Sequence, residues 1–380
     1  MMTKFWAAVV TISVVMLMYL AYDRFTSNYP SLNISCFAYR DIDRNGVYGM
    51  DDRPYAGLII HMERPGGSTA IRTSNISGFA NFKMRLGGYR DPVNKPGEYK
   101  VQVKPPSGWR VTSDNTQQTL MFKELAAAPA GIVLEKTCVP IGVAPELVIS
   151  GSLLTDQIDS EAGSFRVRAI SPEGDIEEAT LSERSGYFLP VAAGDWQLEL
   201  TVNDETVNRQ VSVKNYAVIV STINPDRNSW PAKPSPVVAN FDHFTVSDTL
   251  HELPYGYLGL NWINWIATHQ KLYGGDGYIN TTVSSEYMAY NSSGHLGVVW
   301  SETPFDFAGT YLGVAWPRAE EHDVVFKGYR DDQLIYEDRI RAYTVGAIYF
   351  DADYRNINRL EIGSDANWQI VLDDAMFRID

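Results

Sequence analysis

Acidic and amide side chains near the start of the chain have the spacing of a calcium-binding loop. An EF-hand-type loop places side-chain oxygens at positions 1, 3, 5 and 12, glycine at 6 and a backbone carbonyl at 7. The residues at these positions are Asp41, Asp43, Asn45, Asp52, Gly46 and Val47. Because Ca²⁺ takes about six to eight hard oxygen ligands, the spacing predicts a structural calcium site. The alternative is a polar turn, since Asp and Asn are common in turns and position 12 is not the longer Glu.

The chain contains two cysteines, Cys36 and Cys138. A metal site would need more ligands, so in an exported protein this pair predicts a disulfide. It would join the first and last strands of one candidate domain. Two buried free thiols are the alternative.

The C-terminal third is rich in aromatic residues with amides and carboxylates close by. Aromatic rings stack on the apolar faces of sugars while polar side chains take the hydroxyls. The residues that fit this chemistry are Asn261, Trp262, Asn264, Trp265, Tyr273 and Asp276. The alternative is that these aromatics fill the core of a sandwich.

No catalytic signature is recognisable in the sequence. It lacks an HExxH pair, a Gly-x-Ser-x-Gly elbow and a glycine-rich phosphate loop. Glycoside hydrolysis needs only two carboxylates, which a sequence pattern does not exclude. The carboxylates that could form such a pair are Glu252, Glu286, Glu302 and Asp306. We therefore expect a binding or structural protein rather than an enzyme.

Composition limits the remaining classes. The 380 residues are 45% hydrophobic and 21% charged, which is typical of a globular chain. The formal net charge of −14 disfavours a nucleic-acid binder, which needs a clustered basic face.

The N-terminus carries an apolar run from Phe5 to Tyr22, flanked by Lys4 and by Asp23-Arg24. As a helix it would extend about 27 Å, close to the hydrocarbon thickness of a bilayer. Residues 1–27 therefore predict a single-pass signal anchor in the cell membrane, with an extracytoplasmic body, periplasmic or extracellular. A signal peptide removed on secretion and a buried core helix are the alternatives.

Beyond residue 27 the hydrophobic pattern has period two and is interrupted by Gly and Pro turns, as in Tyr99–Val103 and Trp196–Val202. Many short alternating runs predict an all-β chain. A proline-rich linker at 224–236 sets off a third domain at 237–380.

An internal repeat divides the region before that linker. Ser77-Gly78-Phe79 precedes Gly97-Glu-Tyr99, and Ser185-Gly186-Tyr187 precedes Gly194-Asp-Trp196. The repeat resembles prealbumin-like modules, namely the B-type repeats of Gram-positive adhesins and carboxypeptidase regulatory-like domains. The resemblance implies two consecutive Ig- or prealbumin-like sandwiches at 28–139 and 140–223, acting as a stalk. It also implies that a calcium loop stiffens the first of them.

The third domain has ordered motifs that extend from Ala239-Asn240-Phe241-Asp242 to Val371-Leu-Asp373-Asp374. They resemble a galactose-binding-like jelly roll of secreted bacterial proteins. In that fold the first and last strands lie side by side, so Asp242, Asp373 and Asp374 would meet and hold a cation. The alternative is that Asp373 and Asp374 protect an exposed sheet edge.

Two functions follow from these patterns. The first is a membrane-tethered surface protein whose stalk presents a carbohydrate-binding or adhesive jelly roll. The second is an assembly subunit that docks on protein partners, which would show a broad apolar patch instead of exposed aromatic rings.

Overall fold

The computed structural model describes residues 13–18, 34–82, 96–125, 131–152, 165–181, 186–202, 205–222, 235–244, 250–273, 276–284 and 286–379. A short helix, α1, covers 13–18 with its side chains exposed. Within the described ranges no helix has the length and apolarity to cross a membrane. Most of the predicted anchor at 1–27, and the linker at 224–236 up to residue 234, lie outside those ranges.

The first sandwich consists of two five-stranded sheets, ordered β2-β1-β10-β7 with β5 on β1, and β4-β3-β6-β8-β9. Alternating side chains from both sheets form its core, which includes Tyr55, Trp109 and Phe122. Its strands are β1 (Ile34–Arg40), β2 (Arg53–Pro54), β3 (Ile59–Glu63), β4 (Thr69–Thr73), β5 (Phe79–Phe82), β6 (Gly97–Lys104), β7 (Trp109–Val111), β8 (Gln117–Leu125), β9 (Gly131–Lys136) and β10 (Ile141–Pro145). Because β10 pairs with β1, this sandwich extends past the boundary expected at residue 139.

The second sandwich packs a four-stranded sheet, β13-β12-β16-β17, against β14-β15-β11-β18. Its strands are β11 (Val148–Ser152), β12 (Phe165–Ile170), β13 (Ile176–Glu178), β14 (Thr180–Leu181), β15 (Gly186–Pro190), β16 (Gly194–Val202), β17 (Glu205–Val213) and β18 (Val218–Val220). In each sandwich the opening strand pairs antiparallel with the strand that follows the Gly-aromatic turn and parallel with the closing strand. The internal repeat in the sequence thus corresponds to a shared topology.

The C-terminal domain is built around two long strands, β24 and β27, which pair with each other across several bulges. Its strands are β19 (Val237–Ala239), β20 (His251–Glu252), β21 (Asn261–Ile263), β22 (Trp265–His269), β23 (Tyr287–Asn291), β24 (Gly297–Val314), β25 (Asp323–Arg330), β26 (Gln333–Arg341), β27 (Ile348–Ser364) and β28 (Ile370–Ile379). The described residues of this domain also include an α-helix, α2 (Asp276–Thr281), and 3₁₀ turns at Tyr257–Gly259, Ser292–Gly294 and Pro317–Glu321. As expected, its first strand β19 lies beside its last strand β28. The predicted all-β sandwich class is confirmed, while the jelly-roll assignment stays a prediction.

Both smaller sandwiches are joined to the C-terminal domain. Strand β18 continues the sheet by pairing parallel with β27. Beside this junction the Arg209 guanidinium is bound to the Asp351 carboxylate, with Nη2 2.9 Å from Oδ1. Burial alone would lower the pKa of Arg209, but Asp351, Asp353 and Tyr187 together outweigh that effect and raise it.

The first sandwich is fastened through helix α2. Arg40 donates from Nη1 to the Asn280 carbonyl (2.9 Å) and from Nη2 to the Thr282 carbonyl (3.0 Å). The Asn280 side chain donates in turn to the carbonyls of Ala56 and Thr344, both at 3.0 Å. A guanidinium at the C-terminal end of a helix also interacts favourably with the helix dipole. Hydrogen bonds and strand pairing thus connect both sandwiches to the C-terminal domain.

Candidate functional site

The predicted calcium loop connects β1 to β2 and brings its carboxylates together. One oxygen each from Asp41, Asp43 and Asp52 lies within 4.8 Å of the others. Asp41 and Asp52 are buried, whereas Asp43 is exposed. Within the described ranges this is the one group of at least three metal-ligating side chains.

Backbone conformation at the middle of the loop depends on a glycine. Gly46 has a φ of +76°, and a Cβ there would lie 2.7 Å from the Thr112 carbonyl oxygen. Its amide donates to Asp41 Oδ2 at 2.8 Å, and the Asn45 amide donates to Asp41 Oδ1 at 3.1 Å. Asp52 accepts from the amides of Ile42 and Gly49, at 2.9 and 2.7 Å. The loop is thereby preorganised around its acidic oxygens.

Negative charge is concentrated at this point. Burial, and then the carboxylates of Asp41, Asp52 and Asp43, raise the pKa of the Tyr39 hydroxyl to about 12.

The loop also reaches the second sandwich, because Arg44 Nη2 donates to the carbonyls of Pro145 (2.9 Å) and Asn215 (3.4 Å). A cation here would connect the ends of the loop beside the junction of the two sandwiches.

The disulfide between Cys36 and Cys138 is confirmed. Cys36 lies on β1, where it pairs with Ala80 of β5, and Cys138 follows β9 of the facing sheet. The bond therefore joins the two sheets of the first sandwich.

The expected cation site formed by Asp242, Asp373 and Asp374 is not assembled. These three carboxylates do not form a metal-ligand group among the residues that the structure describes. Asp373 is buried and accepts hydrogen bonds from the amides of Val283 (2.6 Å) and Ser284 (3.0 Å), just after α2. Burial, then Asp374, raises the pKa of Asp373 to about 7. Asp373 therefore stabilises the segment after α2.

The edge-strand alternative for these aspartates is also wrong. Strand β28 lies between β24 and β23 in the sheet, so Asp373 and Asp374 are on an interior strand. Burial, followed by the charge of Asp374, raises the pKa of Asp242.

The two tryptophans expected to stack on sugars are in the core. Trp262 is 5% exposed and Trp265 is 1% exposed. The Trp262 ring packs edge to face against Phe241 and Phe377, and its Nε1 donates to the Tyr257 carbonyl at 3.1 Å. The expectation that they form an exposed platform was wrong, because alternation along β21 turns Trp262 inward.

The other four predicted ligand residues do not form one site. Asn264 donates from Nδ2 to the carbonyls of Ser292, His295 and Leu296, which holds a turn. Tyr273 is 41% exposed, and its hydroxyl is hydrogen-bonded to that of Tyr290. Asn261 is half-buried on β21, where it lies opposite Trp300 of β24. The Asp276 side chain lies outside the described residues.

The four carboxylates considered for glycoside hydrolysis are either bonded to neighbouring residues or exposed on strands. Asp306 is buried and accepts from the Asn356 amide at 2.8 Å, at a bulge of β24. Glu286 is exposed and paired with His269 and Lys271. Glu252 and Glu302 are exposed on β20 and β24.

Sequence reasoning missed the aromatic residues that do reach the surface of this domain. Trp300 of β24 is half-buried beside Tyr255, which is 73% exposed, with ring centroids 5.9 Å apart. Tyr329 of β25 lies under Arg359, whose Cζ is 4.3 Å from the ring centroid. The signal was the alternation Val298-Val299-Trp300, in which buried Val299 places Trp300 on the opposite, outer face.

No protein-family model and no curated protein matches the chain. Among solved structures it is similar to the Bacillus anthracis TIE protein, at 14% identity and a TM-score of 0.22, over 50% of this chain and 33% of that one. It is also similar to GBS52, the minor pilin of Streptococcus agalactiae, at 12% identity and a TM-score of 0.20, over 54% of this chain and 100% of that one.

A third similarity is to the CBM51-2 and INT domains of Clostridium perfringens ZmpB, at 14% identity and a TM-score of 0.26, over 60% of this chain and 46% of that one. The chain thus spans a third of the length of the first of these structures and about half of the third.

Proposed function

We propose that this chain is a membrane-tethered, extracytoplasmic surface protein whose C-terminal domain binds a carbohydrate or adhesive ligand. The observation that carries the proposal is the position of that domain. It is bonded to the first sandwich through Arg40 and Asn280, and to the second through β18 and Arg209. Both sandwiches thereby fix its orientation, while the half-buried rings of Trp300 and Tyr329 lie on its outer strands and the exposed Tyr255 lies beside Trp300.

Two further features support a location outside the cytoplasm. The disulfide of the first sandwich is the kind of bond that persists in oxidising compartments. The apolar run from Phe5 to Tyr22 is long enough to anchor the chain.

The location is tested by producing the full chain in a bacterial host and exposing intact cells to protease and to a membrane-impermeant label. We expect the body to be digested and labelled while the protein sediments with the membrane fraction. A full-length, unlabelled product in the cytosol would contradict the proposal.

The ligand is tested by applying the detergent-solubilised chain to a glycan array, with and without Ca²⁺. Absence of saturable binding to any glycan would contradict the carbohydrate function.

We also propose that the loop of Asp41, Asp43, Asn45, Val47 and Asp52 binds one structural Ca²⁺. The converging carboxylates, the buried positions of Asp41 and Asp52, and the glycine at the sixth position support this. The ion would stiffen the contact between the first and second sandwiches, and it would take no part in a reaction.

Docking on a protein partner is the second candidate function. A specific observation favours it: Val47, Tyr48 and Met50 of the calcium loop are exposed apolar residues, and so is Phe79 of β5. The Tyr48 ring packs edge to face on Phe37, which in turn contacts Phe79. If this patch is an interface, Tyr48→Ser/Met50→Ser would abolish partner or self-association measured by sedimentation, and glycan binding would be unaffected.

A further inference from the structure

The outer face of the C-terminal domain presents a continuous row of side chains. Strands β21, β24, β27, β25 and β26 are adjacent in that order. Their register places directly opposed residues in the row Asn261, Trp300, Arg359, Tyr329 and Leu334, called here the outer row. Directly opposed residues of antiparallel strands point to the same side of a sheet. The neighbouring residues Trp262, Val299 and Leu360 are buried, so the outer row faces away from the core.

Aromatic rings and planar polar groups alternate along this row. Tyr255 lies beyond one end and meets the Trp300 ring at 72°. Arg359 separates Trp300 from Tyr329, and its guanidinium lies over the Tyr329 ring. Asn261, at the Trp300 end, accepts from the Gly256 amide through Oδ1 at 3.2 Å. Since adjacent strands are about 4.8 Å apart, the row extends about 19 Å.

The cations of this face are matched by carboxylates. Arg359 is 2.7 Å from Asp332 Oδ1 and 3.3 Å from Glu361 Oε1. Arg339 is 3.3 Å from Glu337, and Lys327 is opposed by both Glu361 and Glu337 in the register. These pairs also restrict Arg359 to one position. Such a charge-balanced face, in a chain of net charge −14, suits an uncharged ligand better than an acidic polymer.

We propose that the outer row, with Tyr255, is the site at which the C-terminal domain binds a neutral, linear glycan chain laid across the strands. This proposal rests on the proposed function and specifies its ligand and location. Trp300 and Tyr255 supply apolar surfaces for the C–H faces of successive sugars, and Tyr329 supports the Arg359 guanidinium that stacks on it. The N–H groups of Arg359 and the amide of Asn261 supply hydrogen bonds to hydroxyls. The restricted Arg359 and the packed Tyr255–Trp300 pair reduce the ordering cost of binding.

The test uses the full chain in detergent and a set of neutral hexasaccharides: cellohexaose, chitohexaose, laminarihexaose and maltohexaose. Hexagalacturonic acid is the charged comparison. Affinity is measured by calorimetry and by the change in tryptophan fluorescence. We expect at least one neutral hexasaccharide to bind, with roughly tenfold weaker affinity after Trp300→Ala and after Tyr329→Ala.

Trp316→Ala is the matched control, because Trp316 is also partly exposed but is hydrogen-bonded to Gln369 away from the outer row. It should leave the affinity unchanged. Melting temperature reports whether each variant is folded, and Tyr329→Ala carries the test if Trp300→Ala unfolds.

The outcomes separate this proposal from the proposed function. Binding that survives Trp300→Ala and Tyr329→Ala overturns the outer row as the site while leaving a carbohydrate-binding domain. Absence of binding to every hexasaccharide here and to every glycan on the array overturns both. Binding restricted to hexagalacturonic acid, or self-association lost with Trp300→Ala, overturns the neutral glycan as the occupant.

Discussion

Asp43 is the carboxylate of the calcium loop that can be altered with the least effect on the fold, because it is exposed, unlike Asp41 and Asp52. If the loop binds Ca²⁺, the ion stabilises the folded state by an amount that rises with the logarithm of its concentration, and this is about 2.7 kcal/mol at a concentration near 100 times Kd. We expect Ca²⁺ to raise the melting temperature of the wild type and to have no effect on Asp43→Ala.

Asp51→Ala is the control for that measurement, since Asp51 is exposed in the same loop but outside the ligand spacing. It should keep the response to Ca²⁺. A wild-type melting temperature that is the same in Ca²⁺ and in chelator would identify the loop as a turn held only by its own hydrogen bonds.

Asp373 predicts a pH dependence of stability. Burial and Asp374 raise its pKa to about 7 in the folded chain, from an ordinary value of 3.8. Because the folded pKa is the higher one, its contribution is fully present below about pH 4 and is lost as the pH rises through about 7. Relative to Asp373→Asn, the wild type should lose up to about 4 kcal/mol of unfolding free energy over this range.

Denaturant titrations at several pH values measure this difference. Asp365→Asn is the control, because the Asp365 side chain is 70% exposed and should leave the pH profile unchanged. Parallel profiles for the wild type and Asp373→Asn would show that folding does not raise the pKa of Asp373.

At the scale of the elements, the disulfide closes a segment of 102 residues that contains most strands of the first sandwich. A loop of this length restricts the unfolded chain strongly, so Cys36→Ala/Cys138→Ala should lower the unfolding free energy by about 2–5 kcal/mol. Reductant should destabilise the wild type by a similar amount and leave the variant unchanged. Two thiols that react with a labelling reagent in the native protein would contradict this.

The strands could be predicted from sequence because each follows period two between Gly and Pro turns, as at Tyr99–Val103 and Trp196–Val202. The disulfide could be predicted because two cysteines allow a single pairing within the chain. The converging carboxylates of the loop could be predicted because they are close together in sequence. The faces of the strands in the C-terminal domain could not. In the pair formed by β21 and β24, Trp262 lies opposite Val299 and Trp300 lies opposite Asn261. Only this register shows which of the two tryptophans is on the outer face.

The contacts between domains could not be predicted either. Nothing local to Arg40 indicates that its guanidinium binds carbonyls about 240 residues further along the chain. Within the C-terminal domain the same holds for Asp373, which binds amides 89 and 90 residues away. Side chains that form such distant contacts have ordinary neighbours in sequence, so their partners could not be identified from the sequence.

At the scale of the whole molecule, Arg40 should determine whether the first sandwich unfolds with the rest. Its side chain is 3% exposed, and two charge-assisted hydrogen bonds attach it to the end of α2. Hydrogen bonds that involve a charged group contribute about 1.5–3 kcal/mol each, so Arg40→Ala should weaken this contact by about 3–5 kcal/mol.

Calorimetry of the wild type should show the first sandwich and the C-terminal domain unfolding together. In Arg40→Ala a separate transition should appear at lower temperature, whereas Lys100→Ala, at an exposed position of β6, should keep the wild-type profile. A single transition in Arg40→Ala would mean that the remaining contacts, such as those of Asn280, couple the two units without the guanidinium.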